Sequence, residues 1–169
     1  NIKMITTGED PRCGSKLKKR LRQGSYAAYL SRIIRAWGLD DNVEFLGALS
    51  AEQMKEQYLR AHVALNPSSI ENSSNAIGEA MLLGTPVVAS YVGGTPNLIE
   101  HQIDGLLYPF DAPYLLADCV RMVFESDEYA MRLAEYERLS AKSRHHRLLN
   151  LTNLNAIYTR LSNPTVDKD

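Results

Sequence analysis

The sequence predicts an α/β fold, with helices layered against a parallel sheet in an αβα arrangement. Two observations carry that expectation. Short apolar or β-branched runs alternate along the chain with longer helical patterns, the rhythm of βαβ units around parallel strands. The 169 residues, 44% of them hydrophobic and 23% charged, suffice for one substantial core, so a single domain is expected over residues 1–162 with a polar tail at 163–169.

Taken in order, Lys3 to Thr7 reads as a strand ending at Gly8, followed by a polar turn through Pro11 and Gly14. A helical pattern then runs from Ser15 to Trp37 and stops at Gly38. Asn42 to Leu46 is the second strand, closed by Gly47. Ser50 and Gln53 form a capping-box signal for a helix that reaches Arg60. Val63 to Asn66 is a strand, and a polar loop separates it from a helix over Asn75 to Leu83, which ends at Gly84. Val87 to Ser90 is the next strand. Gly93-Gly94-Thr95-Pro96 is a turn with Pro96 in the first turn of a short helix, and Gly105 precedes a last strand, Leu106 to Tyr108. Helical patterns cover Ala112 to Phe124, Asp127 to Ser143 and Leu149 to Leu161, with Trp37, Tyr58 and Phe124 expected in the core.

Several functions are excluded by composition. A formal charge of −1 offers a polyanion no overall attraction, so nucleic acid is not an expected partner. No run approaches the roughly 18 to 20 apolar residues that cross a bilayer, and no leader opens the chain, so a soluble, cytoplasmic domain is expected. Cys13 and Cys119 show no Cys-x-x-Cys or metal-ligand spacing and read as a reduced pair. The basic residues Lys16, Lys18, Lys19, Arg20 and Arg22 fall on nearly every helical face, as in a solvated helix, with docking on a membrane surface as the lesser alternative. His145 and His146 sit in a polar junction between helices and read as solvated.

Chemistry concentrates in the stretch from Pro67 to Met81, where a strand end, a polar loop and a helix start follow one another. The first N–H groups of a helix lack intrahelical partners and lie at the positive end of its dipole, so a phosphate or diphosphate binds there without a Lys. Asn72, Ser73, Ser74 and Asn75 are small and polar, which permits close approach. Glu71 and Glu79 frame the junction. Side chains on a helix lean toward its N-terminus, so Glu79 can reach a ligand over the first turn and accept from a ribose diol, while Glu71 faces the ligand's other end. Ala76, Ala80 and Gly84, four apart, let the helix lie close to the sheet, and a charged Glu79 on so apolar a helix calls for a partner. Taken as an isolated pair, the two carboxylates also fit a plainer account, a solvated loop residue and a residue favouring the helix dipole.

The same residues resemble the retaining glycosyltransferases of the group 1 (family 4) class, whose GT-B fold has two Rossmann-like domains. The resemblance runs in order through Asn42 to Gly47, Pro67-Ser68, the Glu-x7-Glu pair Glu71 and Glu79, Glu79 to Ser90, Gly93-Gly94, and Ile103 to Leu107. It implies the nucleotide-sugar-binding, C-terminal half of such an enzyme, without that half's first strand and basic loop and without the N-terminal, acceptor-binding domain. By the same resemblance, Glu79 binds the ribose hydroxyls, and Glu71, as the catalytic carboxylate, contacts donor sugar and diphosphate with the backbone of Asn72, Ser73, Ser74 and Asn75. The base stacks near Gly47 and Leu49. The implied reaction moves a glycosyl unit from a nucleotide diphosphate sugar to an acceptor hydroxyl with retention, without a metal or other cofactor, and polysaccharide or glycolipid assembly is the usual setting. Two departures bear on the donor sugar: Asn72-Ser73-Ser74 replaces the usual Gly-Phe-Gly, and Asn97 stands where a Glu often follows the double glycine. A nucleotide-sugar epimerase of the same fold and a non-catalytic nucleotide-binding module remain the alternatives.

Overall fold

The computed structural model describes residues 2–13 and 26–162. The expected helix start at Ser15, the basic residues from Lys16 to Arg22 and the tail from Asn163 lie outside the described residues. The chain divides into two compact units, Asn1–Met54 and Lys55–Asp169.

In the first unit, β1 (Met4–Thr6) pairs in parallel with β2 (Val43–Phe45), Ile5 opposite Glu44. The pair closes on itself beyond the strands, where Gly8 N–H donates to Gly47 O at 2.9 Å and Gly47 N–H donates back to Gly8 O at 3.1 Å. Helix α1 (Tyr26–Ala36) turns Ser31 and Ile34 inward and ends at Gly38, whose φ of +62° is the left-handed turn glycine accepts without strain. Trp37 does not join the core as expected, being 76% exposed, because the helix ends at Ala36 and Trp37 lies beyond its last turn. A polar knot that the sequence did not announce holds the polar turn to β2. Arg12 forks onto Asp10, its Nη1 donates to Asp40 O at 2.9 Å and its Nη2 to Val43 O at 3.1 Å, and the guanidinium lies over the Phe45 ring. The Arg12 fork holds the Asp10 carboxyl below the usual carboxylate range.

Helix α2 (Ala51–Arg60) opens with the expected capping box. Gln53 Oε1 accepts from Ser50 N–H at 2.9 Å, and Ser50 Oγ accepts from Gln53 N–H at 3.3 Å.

The second unit is built on β3 (Ala64–Asn66), β4 (Val87–Ser90) and β5 (Leu106–Tyr108), all parallel and in that order. β4 is the central strand and is buried throughout, as its Val-Val-Ala-Ser sequence requires of a parallel strand covered on both faces. Val88, Leu106 and Tyr108 share a face and pack with Cys119 and Val123 of α4 (Pro113–Glu125) and Leu133 of α5 (Asp127–Arg144). Phe124 sits one position off the Cys119–Val123 stripe. It is therefore part-exposed, against the core placement expected of it, and lies 5.4 Å from the His62 ring. Both cysteines are free, Cys13 exposed and Cys119 buried.

Helix α3 (Asn75–Leu83) packs on β3 and β4 and also on α5. A Cβ at Gly84 would lie 3.9 Å from Ala134 O, and one at Gly78 would lie 2.9 Å from His145 Nε2, so α3 and α5 run antiparallel. Glu137 on α5 is completely buried, and its Oε1 accepts from Val87 N–H at 2.8 Å at the start of the central strand. Its other oxygen has no partner, and burial, with a smaller contribution from Asp104, pushes its pKa up to about 9. Helix α6 (Arg147–Ser162) completes the described chain, and no helix among the described residues is long and apolar enough to cross a membrane.

Candidate functional site

Parallel α/β sheets bind ligands beyond the carboxyl ends of their strands. Here β3 ends at Asn66 and β4 at Ser90, and the two loops that follow meet there. Four contacts fix their shape. Ser90 Oγ donates a short hydrogen bond to Ser68 O. Gly94 N–H donates to Glu71 O at 3.2 Å. A Cβ at Gly93 would collide with the Glu71 carbonyl oxygen, and one at Gly94 with that of Asn72, so the double glycine is required for backbone to lie on backbone. Asn66 Nδ2 donates to Ser74 Oγ at 2.8 Å, tying the strand end to the helix start.

That last bond shapes the site. Ser74 is the N-cap of α3, in extended conformation, yet its side chain makes no cap hydrogen bond, because its hydroxyl is turned to Asn66. The helix therefore starts with an open end at Asn75, a residue exposed like its neighbour Ala76. Glu71 is half-buried at the mouth of this end. Its Oε1 accepts from Asn72 N–H at 3.0 Å, and its Oε2 receives a long contact from Ser68 Oγ. The loop thus presents a positioned carboxylate and an uncapped helix N-terminus side by side, an arrangement suited to an anion with a polyhydroxyl group attached.

Glu79 stands one turn further along. It is exposed, so the expected desolvation of its charge does not occur; the buried face of α3 is formed by Ile77, Gly78, Ala80 and Met81, and Ala76 is likewise outside it. Its carboxylate neighbours Tyr58, whose hydroxyl pKa is raised chiefly by burial and further by Glu79. Tyr58 occupies the core position expected of it, and its carbonyl accepts from Thr85 Oγ1 at 2.8 Å.

The structure brings together Glu71, Asn72, Ser73, Ser74, Asn75 and Glu79 within one strand-loop-helix junction of the second unit. Gly47 and Leu49 belong to the first unit, where Gly47 has a φ of +72°. Two participants escaped the sequence reading. Asn66 was taken only as a strand residue, although an amide at a strand end facing a polar loop is a recognisable signal. His145 was read as solvated. It is exposed, but its ring also covers Gly78, and nothing in the local sequence could announce a contact that depends on helix pairing.

The family described as Glycosyl transferases group 1 matches residues 1–140. The chain belongs to that family. Among its relatives is an uncharacterized glycosyltransferase of Methanocaldococcus jannaschii, 37% identical over 87 residues, which cover 51% of this chain and 22% of that protein. Among solved structures, the sucrose-phosphate synthase of Thermosynechococcus elongatus superposes with a TM-score of 0.75 at 25% identity, covering 93% of this chain and 38% of that one. The Anabaena protein HepE, solved with UDP and glucose, gives a TM-score of 0.70 at 26% identity over 84% of this chain and 36% of that one. The parallel α/β architecture is that of the Rossmann-like C-terminal half of GT-B glycosyltransferases. The chain thus spans about a fifth of the length of that relative and under two fifths of the two solved neighbours.

Proposed function

We propose that this group 1 chain supplies the donor site of a glycosyltransferase that moves a sugar from a nucleotide diphosphate sugar to an acceptor hydroxyl with retention at the anomeric carbon. The observation that supports this most is the open N-terminus of α3 beside the positioned Glu71. A diphosphate over Asn75 to Ile77 receives the first-turn N–H groups, and the negative charge that grows on it as the glycosidic bond breaks is met by a dipole already in place. No metal is needed for that step. Glu71 holds the donor sugar close to the reacting carbon, and Glu79, exposed and one turn along, accepts from the ribose hydroxyls. HepE, whose structure holds UDP and glucose, agrees with this class of donor.

The acceptor site and the basic diphosphate-gripping loop belong, in this reading, to an N-terminal domain and first strand of the parent enzyme, a cytoplasmic protein that docks at membranes at most peripherally. The 169-residue chain alone then binds nucleotide weakly and does not turn over. An NMR titration with UDP, GDP and ADP at millimolar concentration tests this. Selective shifts from Glu71 to Glu79 with one nucleotide, lost in Glu79→Ala, are expected and identify the base. Equal, non-saturating responses to all three in both proteins would refute the donor-site assignment.

A further inference from the structure

From Cys13 to Leu39 the sequence holds seven Lys and Arg and no Asp or Glu, in a chain whose formal charge is −1. Five of those cations, between Lys16 and Arg22, lie outside the described residues. The other two, Arg32 and Arg35, belong to α1. The donor site makes no use of this charge, and the outward face of α1 shows what stands beside it.

The inward stripe of α1 is Ser31 and Ile34. On the outward side, Tyr26 and Tyr29 stack with 6.2 Å between ring centroids, and the Arg32 guanidinium lies 5.8 Å from the Tyr29 centroid. The three side chains follow one another at a spacing of three residues, the spacing of neighbours on a helix surface. Trp37 comes directly after the last turn, and Tyr26, Tyr29 and Trp37 are all exposed. Neither Arg32 nor Arg35 has an ion-pair partner among the described residues. Over roughly 16 Å of helix, at about 1.5 Å per residue, α1 thus carries aromatic rings toward both ends and guanidinium groups between them, without a carboxylate.

Guanidinium groups alone suit any polyanion, and the rings narrow the choice. A single-stranded nucleic acid stacks its bases on free ring faces, but the Tyr29 ring already faces Tyr26 and Arg32. Tyr and Trp also settle at the headgroup level of a bilayer, where the body of the ring meets acyl chains and its polar tip stays wet. Arg lays its stem along the same apolar boundary while its head reaches lipid phosphates. The absence of acidic residues on α1 suits it to a negatively charged surface, to which each nearby cation adds about 1 kcal/mol of attraction.

We propose that the outward face of α1, together with Trp37, docks on the headgroup layer of an anionic lipid bilayer. This gives the peripheral membrane docking in the proposed function a surface and a lipid charge, and it rests on that part of the function alone, not on the donor site.

The single tryptophan of the chain makes the test local. The 169-residue chain is mixed with vesicles of phosphatidylcholine alone, or of phosphatidylcholine containing phosphatidylglycerol. Sedimentation measures partitioning, and Trp37 emission reports whether α1 meets the lipid. Partitioning onto the anionic vesicles at least about tenfold stronger than onto the neutral ones is expected, with Trp37 emission shifted to the blue and protected from aqueous acrylamide. Arg32→Gln combined with Arg35→Gln weakens it by about tenfold, and Tyr26→Ser combined with Tyr29→Ser weakens it several-fold, both with dispersed amide spectra and with Lys16 to Arg22 intact. Anionic binding with unchanged Trp37 emission would overturn the proposed surface and leave peripheral docking by another part of the protein standing. Partitioning as strong as the parent's in both variants, equal partitioning onto neutral and anionic vesicles, or binding to soluble heparin but to no vesicle would overturn it as well. The nucleotide titration is read separately, so its failure would refute the donor site without touching this result.

Discussion

Three helices among the described residues begin with a serine at the N-cap, and two of those ends, at α2 and α3, are opposites. At α2, Ser50 and Gln53 exchange hydrogen bonds, and the helix satisfies its own first turn. At α3, Ser74 occupies the same position, but Asn66 claims its hydroxyl and the cap is left unfilled. The first end is a structural closure, and the second is held open by a neighbouring strand. A helix start that declines an available cap has its N–H groups free for a ligand, and Glu71 stands where that ligand's other groups would lie.

The contrast can be broken most severely at the double glycine. Gly94→Ala drives a methyl group into the Asn72 carbonyl and displaces the loop that bears Glu71. Nucleotide binding is expected to fall by about a hundredfold, roughly 3 kcal/mol, while the amide pattern of β3, β4 and β5 persists. A titration in which Gly94→Ala binds as the parent does would show that the loop position is not what creates the open end.

The stability counterpart is the pH dependence of the core behind α3. Glu137 titrates about 4.5 in an unfolded chain and about 9 in the folded one, so folding takes up a proton between those values. Its contribution to stability is complete below about 4.5, declines as pH rises, and is lost by about 9, each pH unit of the interval shifting the folding equilibrium by about tenfold. Glu137→Gln keeps an acceptor for Val87 N–H and removes the titration. Urea midpoints measured from pH 5 to 9 should therefore fall for the parent and run nearly flat for the variant.

A subtler test converts one helix end into the other. Asn66→Ala releases the Ser74 hydroxyl to accept from the first turn of α3, closing the end as Ser50 closes α2. Nucleotide affinity should drop several-fold, about 1 kcal/mol, with thermal stability little changed; unaltered affinity would mean that the ligand does not use those N–H groups. The smallest effect is expected at the other end, where Ser50→Ala removes a cap worth about 1 kcal/mol. Its mark is a lower melting temperature with unaltered nucleotide binding.

How much of this was legible beforehand depends on whether the signal was local. The capping box at Ser50, the left-handed stops at Gly38 and Gly84, Pro96 in its short helix and the buried β4 all follow from residues within a turn of one another, and the structure has them. The loop from Pro67 to Ser74 and the helix after it were also readable, because strand, polar loop and helix follow in sequence. What failed was whatever depended on pairing between elements. Trp37 and Phe124 were placed in the core by helical spacing, but Trp37 lies just past the end of its helix and Phe124 misses the buried stripe of α4 by a position. Glu79 was expected to suffer burial, but α3 turns it outward. Neither the carboxyl of Glu137 in the core nor the His145 ring over Gly78 could be inferred without knowing that α5 lies antiparallel to α3.

The contact between Gly93-Gly94 and the backbone of Glu71 and Asn72 has a consequence for how such a site can change over time. Because main chain clasps main chain there, the course of the loop is set without help from the side chains of Asn72 and Ser73, which are exposed. Those two positions are consequently free to be rewritten, and with them the groups that meet a sugar in the proposed function, while the carbonyls beneath stay where the glycines hold them. Asn72-Ser73-Ser74 in place of Gly-Phe-Gly is the kind of exchange such a clasp tolerates: variation in what is recognised, on a frame that does not move.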